Sequence, residues 1–321
     1  MITQHRIGVA LMLAALVTPA AVAAYPDRPL RFIVPSAPGG SPDINARMLA
    51  VELAKQLGQQ VVVDNRPGAG GAIGLELIIK APADGYTLGY GTSAALASNL
   101  SVLPKKPYDP ITDLQMVAQL GNQPNVLGAS LQYPLRTVTE LIDYAKANPG
   151  KTFFGSSGNG TSMHLTGELL NLVAGTRMVH VPYKAAQQSI TDIIGGQVHF
   201  MFDNIGSIIG HVRGGRVRGV AVTSAKRWFA VPDMPAVAET LPGFEVMVWG
   251  SVVFPAGVPK PIVSRMNAEV NRALQGSPLK DKLMGIGYEI AGGTPEQLTQ
   301  FVRKEIAKFA DIAKRAGAKN E

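Results

Sequence analysis

The sequence contains no cysteine among its 321 residues. This absence excludes disulfide bonds, thiolate metal ligands and cysteine nucleophiles. Aromatic residues make up only 6% of the chain and charged residues only 17%, whereas apolar residues make up 46%. Such a composition supports a sizeable hydrophobic core and excludes a disordered chain, and the length favours about two domains.

Long hydrophobic runs are also scarce, and the one candidate lies at the N-terminus. Arg6 precedes the apolar run 7–17, and small residues follow as far as Val22-Ala23-Ala24. This pattern is typical of a cleaved signal peptide, which we assign to residues 1–24, and the run is shorter than the ~20 residues of a membrane span. A cysteine-free exported chain fits the bacterial periplasm, which we expect as its location.

Positive charge exceeds negative charge, with 30 Lys and Arg against 23 Asp and Glu and a formal net charge of +7. Several basic residues interleave with glycines and apolar residues: Arg213, Arg216, Arg218, Lys226 and Arg227. Nucleic-acid binders combine such charge with an aromatic stacking platform, and none lies nearby, so we expect no nucleic-acid partner. A basic field does attract anionic solutes towards a cleft.

Strands rich in Val and Ile alternate with helical patterns in the first part of the chain. The sequence predicts strands at 30–34, 61–63 and 86–90, with helices at 44–57 and 72–80 between them. The apolar residues of the first helix recur near a period of about 3.6 residues, and a glycine stands directly behind it. This β-α-β-α-β order predicts parallel strands covered by helices.

A similar pattern of strands, glycine-rich loops and helices returns further along. Residues 101–120 are predicted to be loop-rich, because Pro104, Pro107 and Pro110 interrupt them. Later strands are predicted at 125–131, 152–154, 179–181, 198–202, 217–223 and 246–254, and helices at 138–147, 164–173, 189–194, 205–212, 261–275 and 295–316. The fold class is therefore α/β with two lobes, and ligands of such sheets bind at the carboxyl ends of the strands.

Glycine-rich loops precede both predicted helices of the first lobe. Residues 35–40 read Pro-Ser-Ala-Pro-Gly-Gly and lead into a helix, where unpaired N–H groups and the helix dipole favour a small anion. Residues 68–74 resemble a dinucleotide loop, but Ile73 stands where the spacing G-x-G-x-x-G requires its third glycine. We therefore expect a second anion-tolerant helix N-terminus there and no cofactor.

The serines of the second-lobe glycine loop leave two interpretations open. Ser156 or Ser157 could act as the nucleophile of a periplasmic serine hydrolase, with His164 as its base. The G-x-S-x-G elbow is absent, however, and the spacing supports no catalytic triad. The other interpretation, which we favour, places the hydroxyl and N–H groups of this loop around an anion, with no catalytic residue.

Other polar residues are weaker candidates for chemistry. No two histidines stand at i and i+4 among His164, His180, His199 and His211. Carboxylates do not pair at ligand spacing either, so we expect no metal site. Asp203 precedes a predicted helix and is either its N-cap or an acceptor for an amine or hydroxyl of a ligand. Tyr183 and Lys184 follow a strand end and form either a surface loop or part of a site.

Seven short segments carry a family resemblance, in order along nearly the whole chain after residue 24. They are YPDRP at 25–29, PSAPGG at 35–40, VDNRPGAGG at 63–71, ADGYTL at 83–88, SSGNG at 156–160, HVPYK at 180–184 and GGQV at 195–198. Together they resemble the Bug-type, or TctC-like, proteins, which are the periplasmic solute receptors of tripartite tricarboxylate transporters.

The resemblance implies a type II periplasmic-binding-protein fold with two α/β lobes, two crossover segments and closure like a Venus flytrap. Domain 1 is expected to comprise 25–124 and 246–321, with domain 2 inserted at 125–245. A non-catalytic receptor of this kind captures a small carboxylate-bearing solute through backbone N–H groups, hydroxyls and bridging waters. Its expected partners are the permease subunits of a tripartite tricarboxylate transporter or, alternatively, a signalling protein. We expect a monomer, because closure uses the surface between the lobes.

The resemblance also implies ligand contacts from both lobes. In the first lobe these are Gly39, Gly40, Ser41, Asp43, Gly70, Thr92 and Ser93, and in the second lobe Ser156, Ser157, Gly160, Thr161, His164, Tyr183 and Asp203. Two positions depart from the family pattern. Ser36 stands where the family often has Phe, which removes an aromatic side chain from the first loop. Ala185 stands where the family often has Gly, and we expect it to stiffen or narrow its loop.

Overall fold

The computed structural model describes residues 25–103 and 105–317. The signal peptide assigned to residues 1–24 lies outside the described residues. Within the described ranges, no helix combines the length and the apolar character needed to cross a lipid bilayer. The strands of these ranges join into one mixed sheet, with further strands pairing at its centre.

The first lobe opens with the β-α-β units that the sequence predicts. Its elements are β1 (Leu30–Val34), α1 (Ser41–Leu57), β2 (Val61–Asn65), α2 (Ala72–Ile79) and β3 (Thr87–Thr92). β1 pairs in parallel with both β2 and β3. α1 begins three residues before its apolar pattern, because extended Gly40 leads into the helix and Pro42 needs no hydrogen bond in the first turn. Gly58 ends the helix in the left-handed conformation, with φ 68°.

The second lobe repeats the strand-loop-helix order. The strand β4 (Leu114–Ala129) leads into this lobe. The elements that follow are α3 (Val138–Ala147), β5 (Phe153–Ser156), α4 (Ser162–Ala174), β6 (Val179–Pro182), α5 (Ala186–Ile194), β7 (Phe200–Asn204), α6 (Ile205–Arg213) and β8 (Arg218–Val222). β5 pairs in parallel with β6 and β7. The helices α4, α5 and α6 therefore begin at the same edge of the sheet, where the parallel strands end.

In its last part the chain pairs again with β3, through the strand β9 (Met247–Pro255). The elements that follow are α7 (Lys260–Gln275), α8 (Ser277–Gly285), β10 (Glu289–Gly292) and α9 (Pro295–Ala316). The sequence predicts β9, α7 and α9 closely but misses α8 and β10. These two span only nine and four residues, which is too short to display a clear period.

The long strands β4 and β9 run side by side at the centre of the sheet. Residues 114–124 of β4 pair with β9, whereas 125–129 pair with β7 and β8. The predicted loop at 101–120 is therefore wrong in its last part, since β4 begins at Leu114. Two register shifts against β9, between 116 and 118 and between 119 and 121, disturb the two-residue alternation and hide this strand in the sequence.

Helices cover both faces of the first-lobe sheet. Phe32 of β1 belongs to the same buried cluster as Leu49 and Leu53 of α1. Its neighbour Ile33 points to the opposite face and joins the cluster that contains Leu75 of α2. The apolar run in β1 does not alternate with polar residues because both faces of the strand are buried.

A substitution at Gly250 of β9 tests the packing at the centre of the sheet. A Cβ atom at Gly250 would lie 2.0 Å from Tyr90 Oη and 2.8 Å from Tyr288 Oη. We expect Gly250→Ala to lower the free energy of unfolding by about 1–3 kcal/mol, measured by urea denaturation, because the extra methyl group overpacks a filled core.

Gly210→Ala is the matched control, because Gly210 lies on the exposed face of α6 with no atom within 4 Å of an added Cβ. That change is expected to be neutral or to stabilise by up to about 1 kcal/mol, since alanine favours helix. Equal effects of the two substitutions would contradict the packing around Gly250.

Candidate functional site

A cleft of about 820 Å³ opens where the strand ends of both lobes meet. The first lobe contributes the loops before α1 and α2 and the end of β3, and the second lobe contributes the loops before α4, α5 and α6. The central strands close the floor with Gln123 of β4 and with Val248 and Trp249 of β9. The glycine loops that the sequence singles out therefore line one cavity.

Four helices, α1, α2, α5 and α6, begin at the wall of the cleft without a cap from their own N-cap side chain. The N-cap residues are Gly40, Gly71, Ala185 and Asn204. The first N–H groups of a helix have no partner inside it, and the helix dipole adds partial positive charge at this end. These wall segments therefore suit an anion in the cleft.

The loop before α1 is held from behind by Asp43. Its carboxylate accepts hydrogen bonds from Gly39 N at 2.9 Å and from Asn65 Nδ2 at 2.9 Å, and it pairs with Arg47 at 2.9 Å. Burial alone raises the pKa of Asp43, but the bonds from Arg47, Gly39 and Asn65 outweigh it and hold the pKa below its ordinary value. Asp43 stays ionised and fixes the loop, while its side chain lies behind the cleft wall.

Gln123 joins the first turns of two helices from opposite sides of the cleft. Its Nε2 donates to Ser41 Oγ of α1 at 2.7 Å, and its Oε1 accepts from Gly206 N of α6 at 3.3 Å. Gln123 is buried in the central strand β4, so the bridge spans the floor of the cleft. The two helix ends are thus fixed relative to each other by one amide side chain.

Hydrogen bonds among its own residues fix the loop between β5 and α4. Ser156 Oγ accepts from Gly158 N at 3.0 Å, and Thr161 Oγ1 donates to Gly158 O at 2.7 Å. Thr161 also caps α4 by accepting from His164 N at 3.4 Å, and Gly160 N donates to His164 Nδ1 at 3.2 Å. This loop is therefore preorganised, with Ser157, Gly158 and Asn159 facing the cleft.

Two neutral histidines support this loop from below. The rings of His164 and His180 stack with centroids 4.1 Å apart, and His180 Nε2 lies 2.6 Å from Ser156 Oγ. Burial lowers the pKa of His164 to about 4. Burial, with a further contribution from His164, lowers the pKa of His180 to about 3. Both rings are therefore uncharged near neutral pH.

Few ionisable side chains line the cleft. Asp203 is fully buried at the end of β7, and burial raises its pKa to about 7. Tyr183 Oη donates to Asp192 Oδ2 at 2.6 Å, and burial together with this partner raises its pKa to about 12. The remaining charged groups are Glu76, Lys105 and Lys184. The described residues contain no cluster of three or more His, Asp or Glu able to hold a metal ion.

The residues predicted to touch a ligand fall into two groups. Those that line the cleft are Gly40, Ser41, Gly70, Thr92, Ser93, Ser157, Thr161, Tyr183 and Asp203. Those that do not line it are exposed Gly39 and four buried residues behind its wall, Asp43, Ser156, Gly160 and His164. The second group holds the loops through the hydrogen bonds described above. Ser36 and Ala185, the two departures from the family pattern, both line the cleft.

Gln123, Asn204 and Trp249 are among the cleft residues that sequence reasoning missed. Gln123 stands just before the predicted strand 125–131, and a polar side chain entering a buried strand was the available signal. Asn204 follows Asp203 at the same strand end. Trp249, one of two tryptophans in the chain, lines the cleft and donates from Nε1 to Glu305 Oε2 of α9 at 2.8 Å.

Comparison with known proteins gives a family. The model of the tripartite tricarboxylate transporter family receptor matches residues 45–318. Protein BugT of Bordetella pertussis is 36% identical over 315 residues, which cover 98% of this chain and 97% of BugT.

Two solved structures from Rhodopseudomonas palustris share the fold. Rpa4515 with adipate is 37% identical, with a TM-score of 0.89 over 91% of this chain and 98% of its own. MatC (Rpa3494) with bound malate is 32% identical, with a TM-score of 0.85 over 90% of this chain and 99% of its own. The two-lobed type II periplasmic-binding-protein fold is confirmed. The chain belongs to the receptor family of tripartite tricarboxylate transporters, which includes the Bug proteins.

Proposed function

We propose that this protein captures a small carboxylate-bearing solute between its lobes and delivers it to a tripartite tricarboxylate-type membrane transporter. The observation that carries the proposal is the meeting of α1, α5 and α6 at one cleft, without caps from their own N-cap side chains. The adipate and malate in the two R. palustris structures support an acidic solute here as well.

A carboxylate suits this cleft for electrostatic reasons. Each helix N-terminus offers unpaired N–H groups and partial positive charge, which together stabilise an anion without a lysine or arginine clamp. The hydroxyls of Ser41, Thr92 and Ser93 add donors around the cleft, and bridging waters extend their reach. A solute bound by both lobes favours the closed state, because only that state offers both sets of contacts.

We infer that the chain crosses from the first lobe to the second within β4 and returns to the first lobe just before β9. The change of strand partner after residue 124 of β4 supports the first boundary. The bond from Val246 N to Thr223 O at 2.9 Å, which ties the start of the return segment to the second lobe, supports the other. Domain 1 then comprises 25–124 and 246–321, and domain 2 comprises 125–245. The receptor works as a periplasmic monomer, exported by the signal peptide at residues 1–24.

A second function, ester hydrolysis, deserves comparison because Ser156 Oγ lies 2.6 Å from His180 Nε2. That distance is typical of a nucleophile and its base. Ser156 has no exposed surface, however, and its hydroxyl already accepts from Gly158 N. Its place behind the cleft wall argues for a structural role. We therefore propose a receptor without hydrolase activity.

Two N-cap threonines give a matched test of solute binding. Thr161 caps α4 at the cleft, whereas Thr137 caps α3 on the exposed surface. Each Thr→Ala change is expected to lower the free energy of unfolding by about 0.5–2 kcal/mol. Only Thr161→Ala is expected to weaken carboxylate binding, by roughly tenfold, because it removes the bonds to Gly158 O and His164 N that hold the loop at the cleft.

The measurement is calorimetric titration with a panel of mono- and dicarboxylates. The wild-type protein is expected to bind at least one acid saturably and to lose that affinity when the acid is replaced by its methyl ester. Absence of any saturable binding, or equal affinity losses in Thr161→Ala and Thr137→Ala, would contradict the proposal.

Ser156→Ala separates the structural role from the hydrolytic one. We expect the wild-type protein to leave a panel of nitrophenyl esters intact. We expect Ser156→Ala to lower the free energy of unfolding by about 1–3 kcal/mol, because Gly158 N loses its acceptor. Ser157→Ala is the control, since Ser157 lines the cleft and its hydroxyl donates to Met163 Sδ, at 3.2 Å, rather than supporting the loop backbone. Ester turnover by the wild-type protein that disappears in Ser156→Ala would contradict a purely structural role of Ser156.

Acid is expected to destabilise the protein by protonating His164, which supports the loop between β5 and α4. The unfolded chain protonates His164 near its ordinary pKa of 6.5, whereas burial lowers the folded pKa to about 4. The free energy of unfolding should therefore fall as pH drops through this window, by about 3 kcal/mol from His164 alone. His164→Gln, which does not titrate, is expected to flatten the profile in urea unfolding at a series of pH values. Parallel profiles for both proteins would contradict the burial of a neutral ring.

A further inference from the structure

A second cavity lies on the reverse face of the two central strands. The paired residues Gln123 of β4 and Val248 of β9 line the cleft, whereas their chain neighbours Asn122 and Met247 line a cavity of about 450 Å³. Successive residues of a strand point to opposite faces of the sheet. This cavity, named here the rear pocket, therefore lies behind the floor of the cleft.

The walls of the rear pocket come from segments far apart in the sequence. The loop after β8 contributes residues 224–228, and the other lining residues are Glu245, Trp249, Glu289, Phe301, Glu305 and Lys308. Trp228 Nε1 of the loop donates to Gly287 O, just before β10, at 2.7 Å and so joins two sides of the pocket. The volume falls within the range of about 300–1,000 Å³ that is typical of small-molecule sites.

A buried carboxylate lines this pocket. Glu305 of α9 is only 9% exposed, and its Oε2 accepts from Trp249 Nε1 at 2.8 Å. Among the described residues, none donates to its Oε1 and none forms an ion pair with it. This oxygen is not one of the fully buried atoms that lack a partner, so it keeps accessible surface. A donor inside the pocket is able to reach it.

The charges around Glu305 leave the pocket with an excess of carboxylates. Glu245 and Glu289 also line it, and within the described ranges neither forms an ion pair. The lysines of the lining are Lys226 and Lys308, and its arginine, Arg227, pairs instead with a glutamate outside the pocket at 2.9 Å. Three carboxylates therefore face two lysines, which favours a cation.

Aromatic rings complete a surface that suits an organic cation. The rings of Trp249 and Phe301 meet edge to face with centroids 5.1 Å apart, and Trp228 lines the same pocket. The faces of such rings attract ammonium and guanidinium groups, and they also pack against apolar chains. A carboxylate acceptor beside aromatic walls thus matches a ligand with a cationic head and an apolar stem.

We propose that the rear pocket is a second binding site, which takes a small organic cation whose ammonium or guanidinium group donates to Glu305 Oε1 while its apolar stem packs against Trp228 and Phe301. The site is independent of the solute that the cleft carries. Burial raises the pKa of Glu305 above its ordinary value, while the bond from Trp249 and the charge of Lys308 lower it. A bound cation stabilises the ionised form further.

A matched pair of small molecules tests the charge that the site requires. Butylguanidinium and butylurea have nearly the same planar shape, but only the first is charged. Both tryptophans of the chain line the rear pocket, so intrinsic fluorescence follows its occupation. At about pH 8, where Glu305 is ionised, we expect saturable binding of butylguanidinium, at least tenfold tighter than that of butylurea. Equal affinities, or no saturable binding of butylguanidinium, overturn the inference.

Glu305→Gln assigns the recognition to one carboxylate. The variant keeps an oxygen for Trp249 Nε1 but removes the charge, and we expect it to weaken butylguanidinium binding at least tenfold. Glu296→Gln removes the same charge from the exposed first turn of the same helix, outside the pocket lining, and is expected to bind as the wild type does. Wild-type affinity in Glu305→Gln, or equal losses in the two variants, overturns the inference.

Lys308→Gln gives a test of opposite sign. Lys308 lines the pocket one helical turn from Glu305, and its charge repels a bound cation. We expect the variant to bind butylguanidinium a few-fold more tightly than the wild type, with the affinity for butylurea unchanged. A Glu305 that only supports Trp249 would give no such gain, so unchanged or weaker binding in Lys308→Gln contradicts the proposed site.

Discussion

Helices from both lobes begin at one cleft, and the unpaired N–H groups of their first turns need an acceptor. The need arises from topology, because parallel strands joined by helices place every helix start at the same edge of the sheet. The central strands β4 and β9 then bring the two edges together, and Gln123 joins Ser41 of α1 to Gly206 of α6 across the floor. Water or an anion completes these helix ends, and the anion does so with charge complementarity.

The residues that hold the two glycine loops from behind keep these donors in place without adding net charge. Asp43 is paired behind the first loop, and the histidine pair beneath the second loop is neutral. Among the charged groups that line the cleft, Asp203 has a buried oxygen without a donor. A buried carboxyl of this kind lowers the free energy of unfolding when it is ionised.

Much of the fold could be predicted from local pattern. The apolar period of α1 and the apolar runs of β1 and β7 all mark elements that the structure contains. The first half of β4 could not be predicted, because its register shifts against β9 depend on pairing with a strand over 120 residues away. That the glycine loops line the cleft could be predicted from the sequence. The hydrogen bonds of Gln123 to Ser41 and Gly206 could not, since they depend on the relative position of the lobes.

The central claim is that a solute carboxylate is held by helix N-termini from both lobes. A crystal structure of the protein purified with its natural solute tests this most directly. We expect the carboxylate oxygens to lie at hydrogen-bond distance, about 2.7–3.2 Å, from first-turn N–H groups of α1 and of at least one second-lobe helix. A solute that contacts one lobe only, or whose carboxylate is held by Lys105 or Lys184 instead, would contradict the claim.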